Sequence, residues 1–143
     1  MAQMKAILVP VDGSENSDRA VQHALDLVGT GLSVELHLLN VQPNFGGAIS
    51  SFVSRDQIDS YRREEGNKNL ASAVELAKKA SVAAKIHIGV GRTGEVVRDF
   101  AKRLGAGQVV MGTRGHTGLA GVLLGSVAQD VIAHVDVPVT LVK

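Results

Sequence analysis

The sequence predicts an α/β fold: a single domain, 1–143, built on a doubly wound open parallel sheet of five strands with helices on both faces. Three observations predict it. Five short runs are dense in Val, Ile and Leu, as strands buried on both faces are. The stretches between them repeat their apolar residues with a period near 3.6. The chain of 143 residues, 45% hydrophobic and 20% charged, has the size and make-up of one domain and carries no internal repeat.

Taken in order, MKAILVPV is the first strand, ending at Asp12-Gly13, and Ser14 to Val28 the first helix, with Ala20, Val21, Ala24, Leu25 and Val28 on one side. VELHLLNV is the second strand. The segment 42–54, QPNFGGAISSFVS, reads as a mobile loop from its Gly, Ser and Pro content. A helix from Gln57 to Ala80 follows, with Leu70, Ala73, Val74 and Ala77 apolar; Gly66 inside it costs ~1 kcal/mol and suggests a bend. AKIHIGV is strand three, Gly94 to Leu104 a helix, GQVVMG strand four, Ser126 to Val135 a helix and VPVTLV strand five. Such an alternation requires right-handed crossovers onto a parallel sheet.

Composition removes several function classes. The net charge of +1, the absence of like-charge runs and the 3% of aromatic residues leave no footprint for nucleic acid. With no cysteine there is neither a disulfide framework nor a thiol nucleophile. His23, His37, His87 and His134 lack i, i+4 pairing, so zinc is not expected. Tyr61-Arg62-Arg63-Glu64-Glu65 reads as a solvated helix face. The N-terminal apolar run is too short for a signal h-region, and nothing approaches the ~18 residues of a membrane span, so a cytoplasmic protein without membrane insertion is expected.

In an open parallel sheet, ligands enter the crevice at the carboxyl ends of the strands, where strand order reverses. Two strand ends carry the chemistry for it. At VPVDGSENSDRA, Asp12 either meets a ligand or, with Ser14, caps the first helix. At MGTRGHTGLAGVLLGSVAQ, five glycines lie in a stretch free of Asp and Glu from Phe100 through Gln129. Main-chain N–H groups of such a loop, with the positive end of a helix starting at Ser126, match the oxygens of a triphosphate. The local alternative is that Ser126 and Gln129 form a capping box and the glycines punctuate turns. GVGRTG, residues 89–94, fits the G-x-G-x-x-G pattern, but the next strand ends Val110-Met111-Gly112-Thr113 with no acidic residue from there until Asp130, and an ordinary strand-to-helix turn is preferred. No glycine is followed by lysine, which excludes a P-loop.

The spacing Gly112-x-x-Gly115, nine residues, then Gly125-Ser126 resembles the nucleotide motif of the universal stress protein family, in its ATP-binding branch. ILVPVDGSENSDRA, VMGTRGHTGLAGVLLGSVAQDVI and VPVTLVK resemble its opening strand and acidic turn, its strand four with the glycine loop, and its final strand. The resemblance implies a Rossmann-like fold of the adenine nucleotide alpha hydrolase type and ATP, with Mg²⁺, as ligand. It implies that Pro10, Val11 and Asp12 hold the adenosine end and Val41 lines the adenine pocket. Met111, Gly112, Arg114 and Gly115 would lie along the ribose and phosphates, and Gly125, Ser126 and Val127 would close over the phosphate tail.

Hydrolysis needs a positioned water, a base and charge compensation. The glycine loop offers only Arg114 and His116, with no acidic partner beside a histidine. The expectation is therefore a regulatory ATP-binding protein, acting on an unidentified regulated partner, rather than a fast enzyme. A slow hydrolase or phosphotransferase using Asp12, a metal and Ser126 is the second reading, and a ligand-free interaction module the third. VPVTLVK would leave an apolar edge strand, which predicts a homodimer through that strand.

Overall fold

A computed structural model describes residues 5–31, 33–45, 51–114 and 124–143. The described strands are β1 Ala6–Pro10, β2 Glu35–Gln42, β3 Ala84–Val90, β4 Ala106–Gly112 and β5 Val139–Val142; the helices are α1 Glu15–Gly29, α2 Arg55–Lys79, α3 Thr93–Leu104 and α4 Ser126–His134. All strand pairs are parallel and the order is β3-β2-β1-β4-β5. The predicted fold class and all nine predicted elements are observed, with boundaries displaced by at most three residues.

Strand alternation sorts the core into two layers. Ile7 and Val9 of β1 with Val11 just after it, Leu36 and Leu38 of β2 and Val110 of β4 face α1 and α2, where they meet Ala20, Val21, Ala24, Leu25, Leu70, Ala73 and Ala77. Leu8, Leu39, Val109 and Met111 face the opposite way, onto Val97 and Ala101 of α3 and Ala128 and Val131 of α4. Burying each of these aliphatic side chains contributes roughly 1.5–3 kcal/mol. β1, in the middle, is sealed from both sides: Ile7, Leu8 and Val9 are wholly inaccessible.

The long helix α2 is continuous through Gly66, so the expected bend is absent. Its glycine serves close packing instead. A Cβ there would stand 2.6 Å from Cδ1 of Ile88, so the missing side chain lets α2 lie directly on β3. Ser54 and Gln57 form a capping box at its start. Arg62 is not on a solvated face: its guanidinium covers the Phe45 ring at 5.3 Å, while Tyr61 stays half exposed against the same ring.

The histidines also differ from expectation. His37 on β2 and His87 on β3 meet at 2.8 Å between Nδ1 and Nε2, in a contact that only the strand pairing creates. Burial pushes both imidazoles below the usual histidine range; Glu35 opposes the shift at His37, and neighbouring cations deepen it at His87. Among the described residues no helix is long and apolar enough to cross a membrane.

Candidate functional site

The strand order reverses between β1 and β4: the chain leaves β1 for β2 on one side, and β4 lies on the other, followed outward by β5. This brings the turn after β1 next to the end of β4, so the two strand ends singled out in the sequence flank one crevice.

The first wall is the turn Asp12-Gly13-Ser14. Gly13 has φ +83, a left-handed conformation for which glycine is suited, and a Cβ on it would stand 3.2 Å from the Asn69 carbonyl oxygen of α2. The Asp12 carboxylate accepts the Ser14 N–H at 2.9 Å, and the Asp12 N–H donates to Ser17 Oγ at 3.3 Å. Ser14 is the N-cap of α1, accepting the Ser17 N–H at 3.2 Å. The local role foreseen for Asp12 and Ser14 is therefore present, and it orients the carboxylate at the strand end. Pro10 and the buried Val11 lead into the turn.

The second wall begins at Gly112. A Cβ there would stand 3.0 Å from Asn16 in the first turn of α1, so this glycine is demanded by helix packing irrespective of any ligand. Thr113, only 7% exposed, donates its N–H to the Val142 carbonyl at 3.0 Å and accepts the Gly125 N–H at 2.7 Å. The departing and returning ends of the glycine loop are thus pinned together, Arg114 at its start and Gly125 at its end. Gly115 and the rest of the loop through residue 123 lie outside the described residues.

Gly125 is the N-cap of α4, which begins at Ser126, and no side chain among the described residues caps this helix. The capping box of Ser126 and Gln129, the local alternative to a phosphate role, is not formed. Because Gly125 is tied to Thr113, Ser126 is already helical, and Gln129 donates to the Leu124 carbonyl at 3.0 Å instead. Ser126 and Val127 are exposed, so the first turn of α4 presents its amides beside the loop. Of the remaining candidates, Val41 is half buried at the end of β2, and Met111 is a core residue at 4% exposure, packed among Leu8, Val109 and Val131.

GVGRTG lies at the end of the edge strand β3, away from the reversal point. The helix it opens is already occupied: the Asp130 carboxylate of α4 accepts the Gly94 N–H at 2.7 Å and pairs with Arg92 at 2.9 Å. Burial raises the Asp130 carboxyl, but the Gly94 N–H, Arg92 and His134 outweigh it and hold it below the usual carboxylate range. His134 lies 3.3 Å from the same carboxylate, so a histidine with an acidic partner does exist, contrary to expectation. It stands eight residues down α4 from Ser126, about 12 Å along the axis. Nearby, Lys102 pairs with Asp136 at 3.6 Å and Arg103 covers Phe100.

Sequence reasoning missed Asn40, Gln42 and Thr113, buried and polar at the crevice ends of β2 and β4, and the buried Asn16 in the first turn of α1. Polar residues interrupting the apolar runs ELHLLNVQ and VVMGT were the available signal.

A model of the Universal stress protein family matches residues 4–143. Universal stress protein MJ0531 of Methanocaldococcus jannaschii is 32% identical over 142 residues, covering 97% of this chain and 82% of the relative. The solved structure of protein MJ0577 superposes with a TM-score of 0.83 at 28% identity, covering 99% and 97% of the two chains. The structure of a universal stress protein in complex with cAMP superposes with a TM-score of 0.73 at 24% identity over 99% of each chain.

Proposed function

Because the chain belongs to the universal stress protein family, we propose that it binds an adenine nucleotide in the crevice between Asp12 and Arg114 and acts as a nucleotide-dependent regulatory protein. The ligand is ATP, with Mg²⁺ as counter-ion of its phosphates. One observation carries the reading: the acidic turn after β1 and the N-terminus of helix α4, which no side chain among the described residues caps, flank the same switch point. A relative of the same fold was solved with cAMP, which supports an adenine nucleotide as the class.

In this reading Pro10, Val11, Asp12 and Val41 hold the adenosine end. Met111 floors the crevice; Gly112, Arg114 and Gly115 follow the ribose and phosphates; Gly125, Ser126 and Val127 receive the phosphate tail. Arg114 and the first-turn amides of α4 donate hydrogen bonds to anionic oxygens, and Asp12 accepts from donors at the other end. Among the described residues no group of three His, Asp or Glu can hold a metal, so Mg²⁺ would be carried by the phosphates themselves.

The test is calorimetry with Mg²⁺ and ATP on the parent protein, Asp12→Ala and Gly125→Val, alongside identification of any nucleotide released by denaturing freshly purified protein. Both variants should bind more weakly while circular dichroism stays unchanged. Parent-like binding by folded Gly125→Val would remove the phosphate assignment. The far edge of β5 has no strand partner among the described residues and carries Leu141 at 37% exposure, which supports a homodimer through this edge. A monomer mass by light scattering at micromolar concentration would refute that assembly.

A further inference from the structure

We infer that Asn40 and Gln42 are positioning residues for this site, setting the direction of Asp12 from the neighbouring strand; the inference rests on the nucleotide reading above. On β2 the residues facing α1 and α2 are Leu36, Leu38, Asn40 and Gln42, so an apolar row turns polar where the sheet opens into the crevice. Both side chains are almost completely buried, Asn40 at 2% and Gln42 at 5% exposure. Burying two amides is costly unless each is matched by a partner.

The partners form a directed chain. The Gly91 N–H, after β3, donates to the main-chain carbonyl of Gln42 at 3.0 Å and fixes the backbone from which the Gln42 side chain extends. Gln42 Nε2 donates to Asn40 Oδ1 at 2.6 Å, and Asn40 Nδ2 donates to the Val11 carbonyl at 2.8 Å. The Val11 N–H is held by the Leu39 carbonyl at 2.8 Å. Both polar groups of Val11, the last residue before Asp12, are therefore fixed to β2, and the Val11–Asp12 peptide plane has one orientation.

That plane determines where the turn begins. From it the Asp12 N–H reaches Ser17 Oγ and the Asp12 carboxylate reaches the Ser14 N–H. Without the Asn40 amide, the buried Val11 carbonyl regains a partner only by rotating this peptide, and rotation carries the Asp12 carboxylate with it. A leucine at position 40 would continue the row and fill the space; it would not hold the carbonyl.

The experiment compares Asn40→Leu with the parent in two ways. Hydrogen exchange without nucleotide should show the amides of Asp12 and Ser14 exchanging about tenfold faster, with those of Val109 and Val110 unchanged. Calorimetry with ATP on the parent, Asn40→Leu, Asp12→Ala and the double variant should show Asn40→Leu weakening binding about tenfold alone but less than about twofold on top of Asp12→Ala. Gln42→Leu, which only loosens Asn40, should act in the same direction and less strongly, and serves if Asn40→Leu does not fold. Unchanged protection of the turn, or a full effect of Asn40→Leu in the Asp12→Ala background, overturns the inference. Absence of ATP binding by the parent overturns the nucleotide reading instead, and the exchange result still decides whether Asn40 holds the turn.

Discussion

Replacing Asp130 isolates one carboxylate that joins two helices. It accepts the Gly94 N–H in the first turn of α3 at 2.7 Å, pairs with Arg92 at 2.9 Å and lies against His134, with its side chain 16% exposed. Asp130→Ala removes the acceptor that caps the first turn of α3 and leaves the Gly94 N–H without its charged partner, a loss of ~1–2 kcal/mol after allowing for water reaching the site. The exposed Arg92 adds little, roughly 0–1 kcal/mol. The expected loss is about 2 kcal/mol, and with an m-value near ~2 kcal/mol/M the urea midpoint should fall by about 1 M. Asp130→Asn keeps an oxygen for Gly94 and loses the charge, so about 1 kcal/mol is expected.

The pH dependence has a definite sign. The folded carboxyl titrates below the unfolded one, so its contribution is complete above the unfolded range near ~4 and is lost as pH falls through the folded value. The gap between parent and Asp130→Ala should narrow only in that acid range. Urea titrations followed by circular dichroism at pH 7 and at intervals down to pH 3 measure all of this. An Asp130→Ala loss under ~0.5 kcal/mol, or Asn and Ala costing the same, would refute the capping argument.

His37, buried, and His87, partly buried, titrate below the usual histidine range, so stability should decline as pH drops under ~6.5, and His87→Leu should flatten that slope in denaturation at pH 5 to 7.5. Gly112→Ala places a Cβ 3.0 Å from Asn16 and should cost about 1–3 kcal/mol, whereas Gly125→Ala, whose nearest contact would be 3.3 Å, should change the melting temperature little; equal melting temperatures would contradict the packing assigned to Gly112. In single-turnover incubation with labelled ATP and Mg²⁺, hydrolysis should fall orders of magnitude below a typical enzyme's ~10 per second. His134→Ala should leave that rate unchanged, because the pair with Asp130 stands two turns from Ser126. Turnover near one per second, lost in Asp12→Asn, would establish the hydrolase.

The architecture was legible because its signals are local. Strands sealed on both faces need Val, Ile and Leu at successive positions, and helix periods survive without knowledge of neighbours. Strand order is not local, and what depends on it stayed hidden. His37 and His87 are 50 residues apart and become a pair only because β2 adjoins β3; Asn40 gains its acceptor only because β2 adjoins β1. The two S-x-x-Q tetrads make the same point. Ser54 and Gln57 form a capping box, while Ser126 and Gln129 do not, because Thr113 holds Gly125 and moves the N-cap back by one residue. The Asp12 turn was visible as a turn, and its alignment from β2 was not.

The pairing of β1 with β4 also governs how the chain must acquire its structure. Ala6 faces Ala106 and Leu8 faces Val109, so the central strand, made before the other four, waits roughly a hundred residues for its second neighbour. At the 5–20 residues per second of synthesis, the β4-facing apolar edge of β1 is uncovered for about 5–20 seconds, although β2 covers its other edge well before that interval ends. That interval is a window for wrong pairing with another nascent chain. Since the crevice needs both β1 and β4, ligand cannot stabilise the intermediate during it. Chaperone protection of this protein should therefore be needed before residue 112 emerges and be dispensable soon after.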